Sequence, residues 1–282
     1  MTPSPSPILI TGASSGIGRA TAERLAKRGE VVYATARRLE DLADLERLGC
    51  RVLALDVTDA DSRERAVGQV LEAEGAVGAL VNNAGYSQSG AIETLELDAL
   101  RRQFETNLFG LVGMCQLVLP SMRARGAGRI VNLSSMGANF TFPGGGAYHA
   151  TKYALEAISD ALRFEVQGFG IDVVIVQPGV IRTRFGQAAV ASLPAERGDA
   201  SYGDFNARVG EITQAAYERG PMRVLGGGPE RVAATIERAL TARRPRIRCR
   251  VTPSAHLLVG QRRVMTDRMW DAFLGTQFPR PG

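Results

Sequence analysis

A doubly wound α/β domain, with a seven-stranded parallel sheet covered by helices on both faces, is the architecture this chain predicts. Three observations predict it. Short apolar runs alternate with longer helix-forming segments, the pattern of parallel strands joined by crossover helices. The first run opens into a glycine-rich turn and then a helix, the arrangement that starts such a sheet. Finally, 282 residues with 45% hydrophobic content suit one sizeable core. Ligands of these sheets bind outside the carboxyl ends of the strands, where the strand order reverses.

Met1 to Pro7 is rich in proline and serine and is expected to be disordered. It has neither the basic start nor the apolar stretch of a signal peptide. Ile8-Leu9-Ile10-Thr11 is the first strand, Gly12-Ala13-Ser14-Ser15-Gly16-Ile17-Gly18 the turn, and Arg19 to Arg28 a helix stopped by Gly29. The second strand, Val31 to Ala36, ends in Arg37-Arg38, and the third, Arg51 to Leu55, ends in Asp56-Val57. Asp59, rather than Asp56, is the better cap for the helix that follows. A fourth strand runs into Asn82-Asn83-Ala84-Gly85, and a helix around Leu100 to Met122 carries Asn107. Arg129 to Leu133, Ile171 to Val176 and Arg246 to Val251 complete the seven strands. Arg184 to Leu193 and Asp204 to Arg219 read as helices, with a flexible stretch around Gly198-Asp199 between them. Beyond the last strand, helices are expected at Ala255 to Arg263 and at Asp267 to Leu274, the latter holding the sole tryptophan, Trp270.

Two patterns carry chemistry. Glycines at a strand-to-helix turn let the backbone approach a dinucleotide pyrophosphate, whose charge sits against the helix N-terminus. The spacing here is Gly-x-x-x-Gly-x-Gly. The second pattern is Tyr148-His149-Ala150-Thr151-Lys152, with Ser135 thirteen residues before the tyrosine. Residues four apart on a helix share a face. A phenol with a reference pKa near ~10 is a poor acid or base at neutral pH. A neighbouring ammonium favours the phenolate and lowers that value. His149 is adjacent to Tyr148 but is expected to point to another side of the helix, as a non-catalytic residue.

Taken together and in order, these motifs resemble those of the short-chain dehydrogenase/reductase family, from about Ile8 to Thr252. The resemblance implies a Rossmann-type fold and a nicotinamide cofactor. Gly12, Ser14, Ser15, Gly16, Ile17 and Gly18 resemble the cofactor loop, and Asp56 with Val57 the pair that contacts adenine. Asn83, Ala84 and Gly85 belong to a stretch resembling the family's Asn-Asn-Ala-Gly motif, with Asn83 tying adjacent strands together near the adenosine. Pro178, Gly179, Val180 and Thr183 resemble the motif holding the nicotinamide end. Asn107, Ser135, Tyr148 and Lys152 resemble the catalytic set: Tyr148 as general acid/base, Ser135 orienting the substrate oxygen, Lys152 holding the nicotinamide ribose. Asn107 would anchor a water relay through its backbone carbonyl. Ser134 is the alternative to Ser135, disfavoured by the spacing to Tyr148.

The cofactor is read as NADP(H). An NAD-selective site puts an acid at the end of the second strand, where this chain has Arg37, able to bond a 2′-phosphate. Arg38 either helps or faces solvent. More than forty residues between Thr183 and Pro229 suffice for a substrate-covering lid and point to a substrate larger than a few carbons. Phe140, Phe142, Pro143, Phe185 and Tyr217 are apolar candidates for its walls, or core residues.

The resulting expectation is a single domain over 1–282. It divides into a cofactor-binding and catalytic core at 8–183, a lid at 184–228, a last helix and strand at 229–252, and a carboxyl-terminal extension at 253–282. The extended tail resembles a subgroup that includes 17-beta-hydroxysteroid and retinol dehydrogenases, which implies a hydrophobic ketone or aldehyde and its alcohol as substrate pair. The competing expectation is a non-catalytic dinucleotide-binding sensor or scaffold, a class that usually lacks part of the Ser-Tyr-Lys set.

No apolar run has the length of a spanning helix. Cys50, Cys115 and Cys249 lack metal-ligand spacing and read as free thiols of a cytoplasmic protein, with no metal site. The net charge of +5 reads as a solvated surface or as attraction to an anionic substrate or lipid surface. No nucleic-acid-binding module accompanies it. The basic tail lies on a membrane, covers a partner subunit or, most simply, packs on its own core. A homodimer or homotetramer through the helices of Asn107 and Lys152 is implied by the family resemblance.

Overall fold

The computed structural model describes residues 6–194 and 200–281. Seven parallel strands form one sheet in the order β3-β2-β1-β4-β5-β6-β7. They are β1 (Ile8–Ile10), β2 (Val32–Ala36), β3 (Arg51–Ala54), β4 (Ala79–Asn82), β5 (Gly128–Leu133), β6 (Ile171–Gln177) and β7 (Arg248–Arg250). Ile8 pairs with Val32 on one side and Ala79 on the other, so the strand order reverses at β1 and β4. That reversal opens a crevice above the strand ends. The expected seventh strand, Arg246 to Val251, is shorter by half because only Arg248–Arg250 pair with β6.

Alternate side chains leave the sheet in opposite directions. Ile8 and Ile10 enter one core with α1 (Gly16–Ala26), α2 (Ala43–Arg47) and, from later in the chain, the helix at Pro229–Thr241. Leu9 enters the other with α3 (Ala60–Glu74), a long helical segment over 97–125, and the helix at Gly146–Val166. Burial on both faces explains why the central strands are mostly apolar, whereas the edge strands β3 and β7 begin with the exposed Arg51 and Arg248. The α1 helix presents Gly18, Thr21, Ala22 and Leu25 to its core, a spacing that keeps one face apolar. Asp59 caps α3, accepting from the Asp61 and Ser62 amides, and Gly75 at φ 78° ends it.

The 97–125 segment comprises α4 (Leu97–Phe104), a π-helical turn at Glu105–Phe109 and α5 (Gly110–Arg125). The π turn contains Asn107, and such insertions are frequent at functional sites. After β5 comes α6 (Gly146–Val166). Past β6, residues 184–228 fold as α7 (Phe185–Ala191), α8 (Gly203–Glu218) and α9 (Gly220–Leu225). The flexible stretch expected around Gly198-Asp199 lies outside the described residues. Pro229 opens α10 (Pro229–Thr241), which packs on α1, with Arg24 and Arg28 both paired to Glu237.

The expectation for the amino terminus changes here, and the tail follows its simplest reading. Met1–Pro5 lie outside the described residues, but Ser6 and Pro7 are held in place. The Pro7 carbonyl accepts from the Gly78 and Ala79 amides, and Ser6 Oγ accepts from the Val31 amide at 3.2 Å. The tail, α11 (Pro253–Val264) and α12 (Asp267–Gly275), packs on its own chain. Trp270, Leu258 and Val259 form a core with Phe140, and Phe278 enters another with Ala91, Phe205 and Val209. No helix among the described residues is long and apolar enough to cross a membrane.

Candidate active site

The crevice holds a cavity of about 1090 Å³. Its sheet side is lined by Gly12, Ser14, Ser15, Gly16 and Ile17 of the first turn, and by Arg37, Asp56, Val57, Asn83, Ala84 and Gly85. Pro178, Gly179, Val180 and Thr183 lie along it, and Ser135, Tyr148 and Lys152 line it as well. Gly18, Arg38 and Asn107 do not.

Each exception has a physical reason. A methyl group on Gly18 would lie 2.3 Å from the Gly12 carbonyl oxygen and 2.5 Å from Asn83 Nδ2. Gly18 therefore allows α1 to close on the turn and faces away from the cavity. Asn83 Nδ2 donates to the carbonyls of Thr11 and Gly12 at 3.0 and 2.9 Å, tying β4 to the turn after β1. Arg38 is exposed and pairs with Asp41, whereas Arg37 lines the cavity and has no carboxylate partner among the described residues. Of the two arginines, Arg37 is the one that faces the cavity. Asp56 Oδ1 accepts from the Thr58 amide and hydroxyl at 2.9 and 2.7 Å, which fixes its carboxylate at the cavity edge.

Asn107 sits behind the wall, 1% exposed. Its Oδ1 accepts from the Tyr86 amide at 3.1 Å, and its Nδ2 donates to the Tyr86 carbonyl at 2.9 Å and to Thr151 Oγ1 at 3.1 Å. The side chain is spent on anchoring the loop after β4 and the first turns of α6.

Tyr148 and Lys152 stand one turn apart on α6, Lys152 Nζ 5.7 Å from the centre of the phenol ring. Burial pushes the Tyr148 hydroxyl up to about 12, against a hydrogen bond with Ser135 that lowers it. Burial brings Lys152 down to about 8, opposed by the charge of Glu156. The lowering expected of Lys152 on the tyrosine is not found: desolvation of the phenol dominates, and what opposes it is the Ser135 hydrogen bond. The ammonium, 6% exposed, directs its bond to the Leu133 carbonyl at 2.7 Å. Ser135 Oγ also accepts from the Gly137 amide at 3.0 Å. The neighbouring Ser134 Oγ is buried with no partner, so the serine connected to Tyr148 is Ser135.

His149 departs from expectation, because it lines the same cavity. Its Nδ1 lies 2.7 Å from the Gly137 carbonyl and its Nε2 accepts from the Phe142 amide at 3.3 Å. These bonds require the neutral Nδ1–H tautomer. Burial lowers its pKa, which favours that neutral form. The imidazole thereby ties the two ends of the loop between Ser135 and Tyr148.

The other side of the cavity is apolar. Phe140, Phe142, Pro143, Phe185 and Tyr217 all line it. Phe185 meets the Tyr148 ring edge-on at 5.4 Å. Sequence reasoning missed Val209, Ile212, Thr213 and Ala216 of α8, and Leu258, Phe273, Gln277 and Phe278 from the tail. The α8 set has i, i+3, i+4, i+7 spacing, a signal that was available once the helix was placed. Residues 273, 277 and 278 carry no such mark. Cys50 and Cys115 are buried free thiols, raised by burial to about 11 and about 12. Among the described residues no group of His, Cys, Asp or Glu is placed to hold a metal.

Known proteins resemble this chain in sequence and fold. A family model described as short chain dehydrogenase matches residues 6–193. The chain is 37% identical over 256 residues to 3-ketodihydrosphingosine reductase of Bacteroides thetaiotaomicron, covering 90% of each protein. It is 33% identical over 273 residues to the NADPH-dependent 3-dehydrocapnine reductase of Ornithobacterium rhinotracheale, covering 93% of this chain and 94% of that one. A solved structure of a short-chain dehydrogenase from Streptomyces avermitilis superposes with a TM-score of 0.79 at 35% identity, over 95% of this chain and 94% of the other. The strand order that creates the crevice and the match across most of the sheet have one explanation: this chain belongs to the short-chain dehydrogenase/reductase family of NAD(P)-binding oxidoreductases.

Proposed function

We propose that this protein is an NADP(H)-dependent reductase of hydrophobic ketones or aldehydes, with Tyr148 as general acid in reduction and general base in oxidation. The observation that carries the reading is the Ser135–Tyr148–Lys152 group, set where the cofactor side of the cavity meets an apolar chamber.

The residues present fit a dinucleotide. Ser15, at the N-cap of α1, makes no side-chain cap bond, and Ser14 to Ile17 line the cavity. The free amides of that helix start suit a pyrophosphate. Arg37 supports NADP over NAD, since its guanidinium can bond a 2′-phosphate and no acid occupies its place. Asp56 and Val57 would border the adenine, and Pro178, Gly179, Val180 and Thr183 the nicotinamide end.

Bound here, NADPH supplies the hydride that reaches the carbonyl carbon. Negative charge develops on the carbonyl oxygen, and groups already in place stabilise it. Tyr148, raised to about 12, is fully protonated at neutral pH and donates its phenolic proton to that oxygen. Ser135, bonded to Tyr148, fixes the oxygen by a second hydrogen bond. Lys152 supplies positive charge beneath the phenol ring, stabilising the phenolate left behind. Asn107 holds Thr151 and Tyr86 in place and keeps its backbone carbonyl in the π turn for a proton relay.

The chamber is walled by Phe142, Phe185, Val209, Ile212 and Phe278, which favours an apolar chain on the ketone. Two relatives carry names that specify a 3-keto and a 3-dehydro compound, which supports a 3-ketone, and the apolar chamber favours a long chain on it. The helices α7 and α8, within the span 184–228, would act as the lid. Exposed Phe109 on the π turn and Tyr153, Ile158 and Phe164 on α6 support a homodimer through these helices.

The test is NADPH consumption at 340 nm against long-chain 3-ketones, short ketones and retinal, with NADH in parallel. Turnover of the long-chain ketones with NADPH preferred is expected. Tight NADPH binding without turnover of any carbonyl would overturn the reading.

A further inference from the structure

The tail does more than pack. Residues 276–279 run along an outer cleft, and two of them also face the main cavity. Gln277 and Phe278 line the main cavity and also a separate outer cleft of about 460 Å³. The outer cleft is polar, with Asp204, Arg208 and Glu211 on its walls. Phe278 is therefore the partition between an apolar chamber and a wet one.

The partition is built firmly. The amides of Gln277 and Phe278 both donate to the Leu274 carbonyl at 2.9 Å, and the Gln277 carbonyl accepts from Arg208 Nε at 3.3 Å. The Phe278 ring is 7% exposed and lies nearly parallel to Phe142 at 6.5 Å. From Phe142 a row of rings leads back to the reacting hydroxyl, 6.1 Å to His149 and a further 5.7 Å to Tyr148. The row thus runs from Tyr148 at one end to Phe278 at the other.

We propose that Phe278 is the specificity-determining end wall of the substrate chamber, fixing the longest unbranched chain the site accepts. This rests on the hydrophobic-ketone reading above and deepens it. A chain short of Phe278 gains apolar contact with each added carbon. A longer one must displace a ring held in the core or thrust methylenes among Asp204, Arg208 and Glu211, where burial gains nothing. Affinity should rise with chain length and then break sharply.

The experiment uses the full chain, with a homologous series of unbranched 3-alkanones as probe. Two readouts run in parallel: NADPH oxidation, and fluorescence of Trp270 in the NADP⁺ complex. Trp270 is the sole tryptophan and lies 6.2 Å from Phe142. Wild type should show a break in both. In Phe278→Ala the break moves to longer chains by two or more carbons, with a gain on the order of 10-fold for the first ketone that wild type rejects. Phe278→Trp moves the break to shorter chains, and decides the matter alone should the alanine variant fail to fold. A break absent from wild type, or fixed at one length in the variants, overturns the proposal while leaving the ketone reading intact if turnover persists. A fluorescence break that moves without any NADPH oxidation upholds the wall and sinks the ketone reading.

Discussion

On the sheet side of the crevice, the wall is held by directional bonds. Asn83 Nδ2 reaches two carbonyls of the first turn, Asp56 is fixed by Thr58, and Gly18 touches the Gly12 carbonyl so closely that no side chain fits. On the helical side, Val209, Ile212, Phe273 and Phe278 line the chamber with apolar surface alone. The first wall tolerates little chemical change, because each hydrogen bond needs a particular donor or acceptor at a set distance and angle. The second tolerates any residue of suitable volume, because burial is non-directional and scales with area. The two walls should therefore respond differently to substitution: all substrates alike on the sheet side, each substrate by its size on the helical side.

The sharpest test of that contrast is Tyr148→Phe, which keeps the ring and its contact with Phe185 and removes one hydroxyl. Turnover should fall by about 10²- to 10⁴-fold, the range of a general acid. Cofactor affinity, measured by titrating NADPH fluorescence, should stay within about twofold. An equal loss for every ketone marks the hydroxyl as chemical rather than steric. Next in size is Arg37→Glu. A charge-assisted bond contributes about 1.5–3 kcal/mol, so NADPH should weaken by roughly 10- to 150-fold and NADH become the better reductant. An unchanged NADPH dissociation constant would place the 2′-phosphate elsewhere.

The same contrast explains what could be read from the sequence. Backbone geometry demands particular residues at particular spacings, so Gly12 to Gly18, Asn82 to Gly85 and Tyr148 to Lys152 stood out as short strings. The sheet was legible because its central strands, buried on both faces, are mostly apolar, and Asp59 was identifiable as a cap from its position. Phe273, Gln277 and Phe278 were not, since nothing local distinguishes a tail phenylalanine that reaches the cavity from one that meets the core. His149 was misjudged for another reason. Its role depends on the Gly137 carbonyl and the Phe142 amide, twelve and seven residues away, and on the course of a loop that helical geometry cannot supply. The rise of Tyr148 to about 12 was hidden likewise, because desolvation is a property of the whole fold.

Lys152 gives a pH prediction on the sheet side. With its ammonium lowered to about 8, it loses its charge as pH rises through that value, while the phenol near 12 remains protonated. The rate of ketone reduction should therefore be level below pH 8 and decline above it, from loss of the ammonium rather than of the acid. A kcat/KM profile with NADPH saturating reports this. Lys152→Met should flatten the limb at a lower rate, and a limb unmoved by that substitution would assign the ionisation to another group.

The smallest effect belongs to the helical side, and its shape matters more than its size. Ile212 is half-buried on the cavity face of α8, against Phe205 and Phe278. Ile212→Ala removes apolar surface that only a long substrate touches, so KM for long-chain ketones should rise by roughly 3- to 10-fold. Ketones too short to reach Ile212 should keep their kinetic constants, and the NADPH dissociation constant should not move. A loss spread evenly over all ketones and the cofactor would mean that α8 supports the sheet-side wall as well, and that the two halves of the crevice are mechanically one. A loss confined to long chains would show that substrate choice can be retuned from α8 and the tail without disturbing the chemistry fixed by β1, β4 and α6.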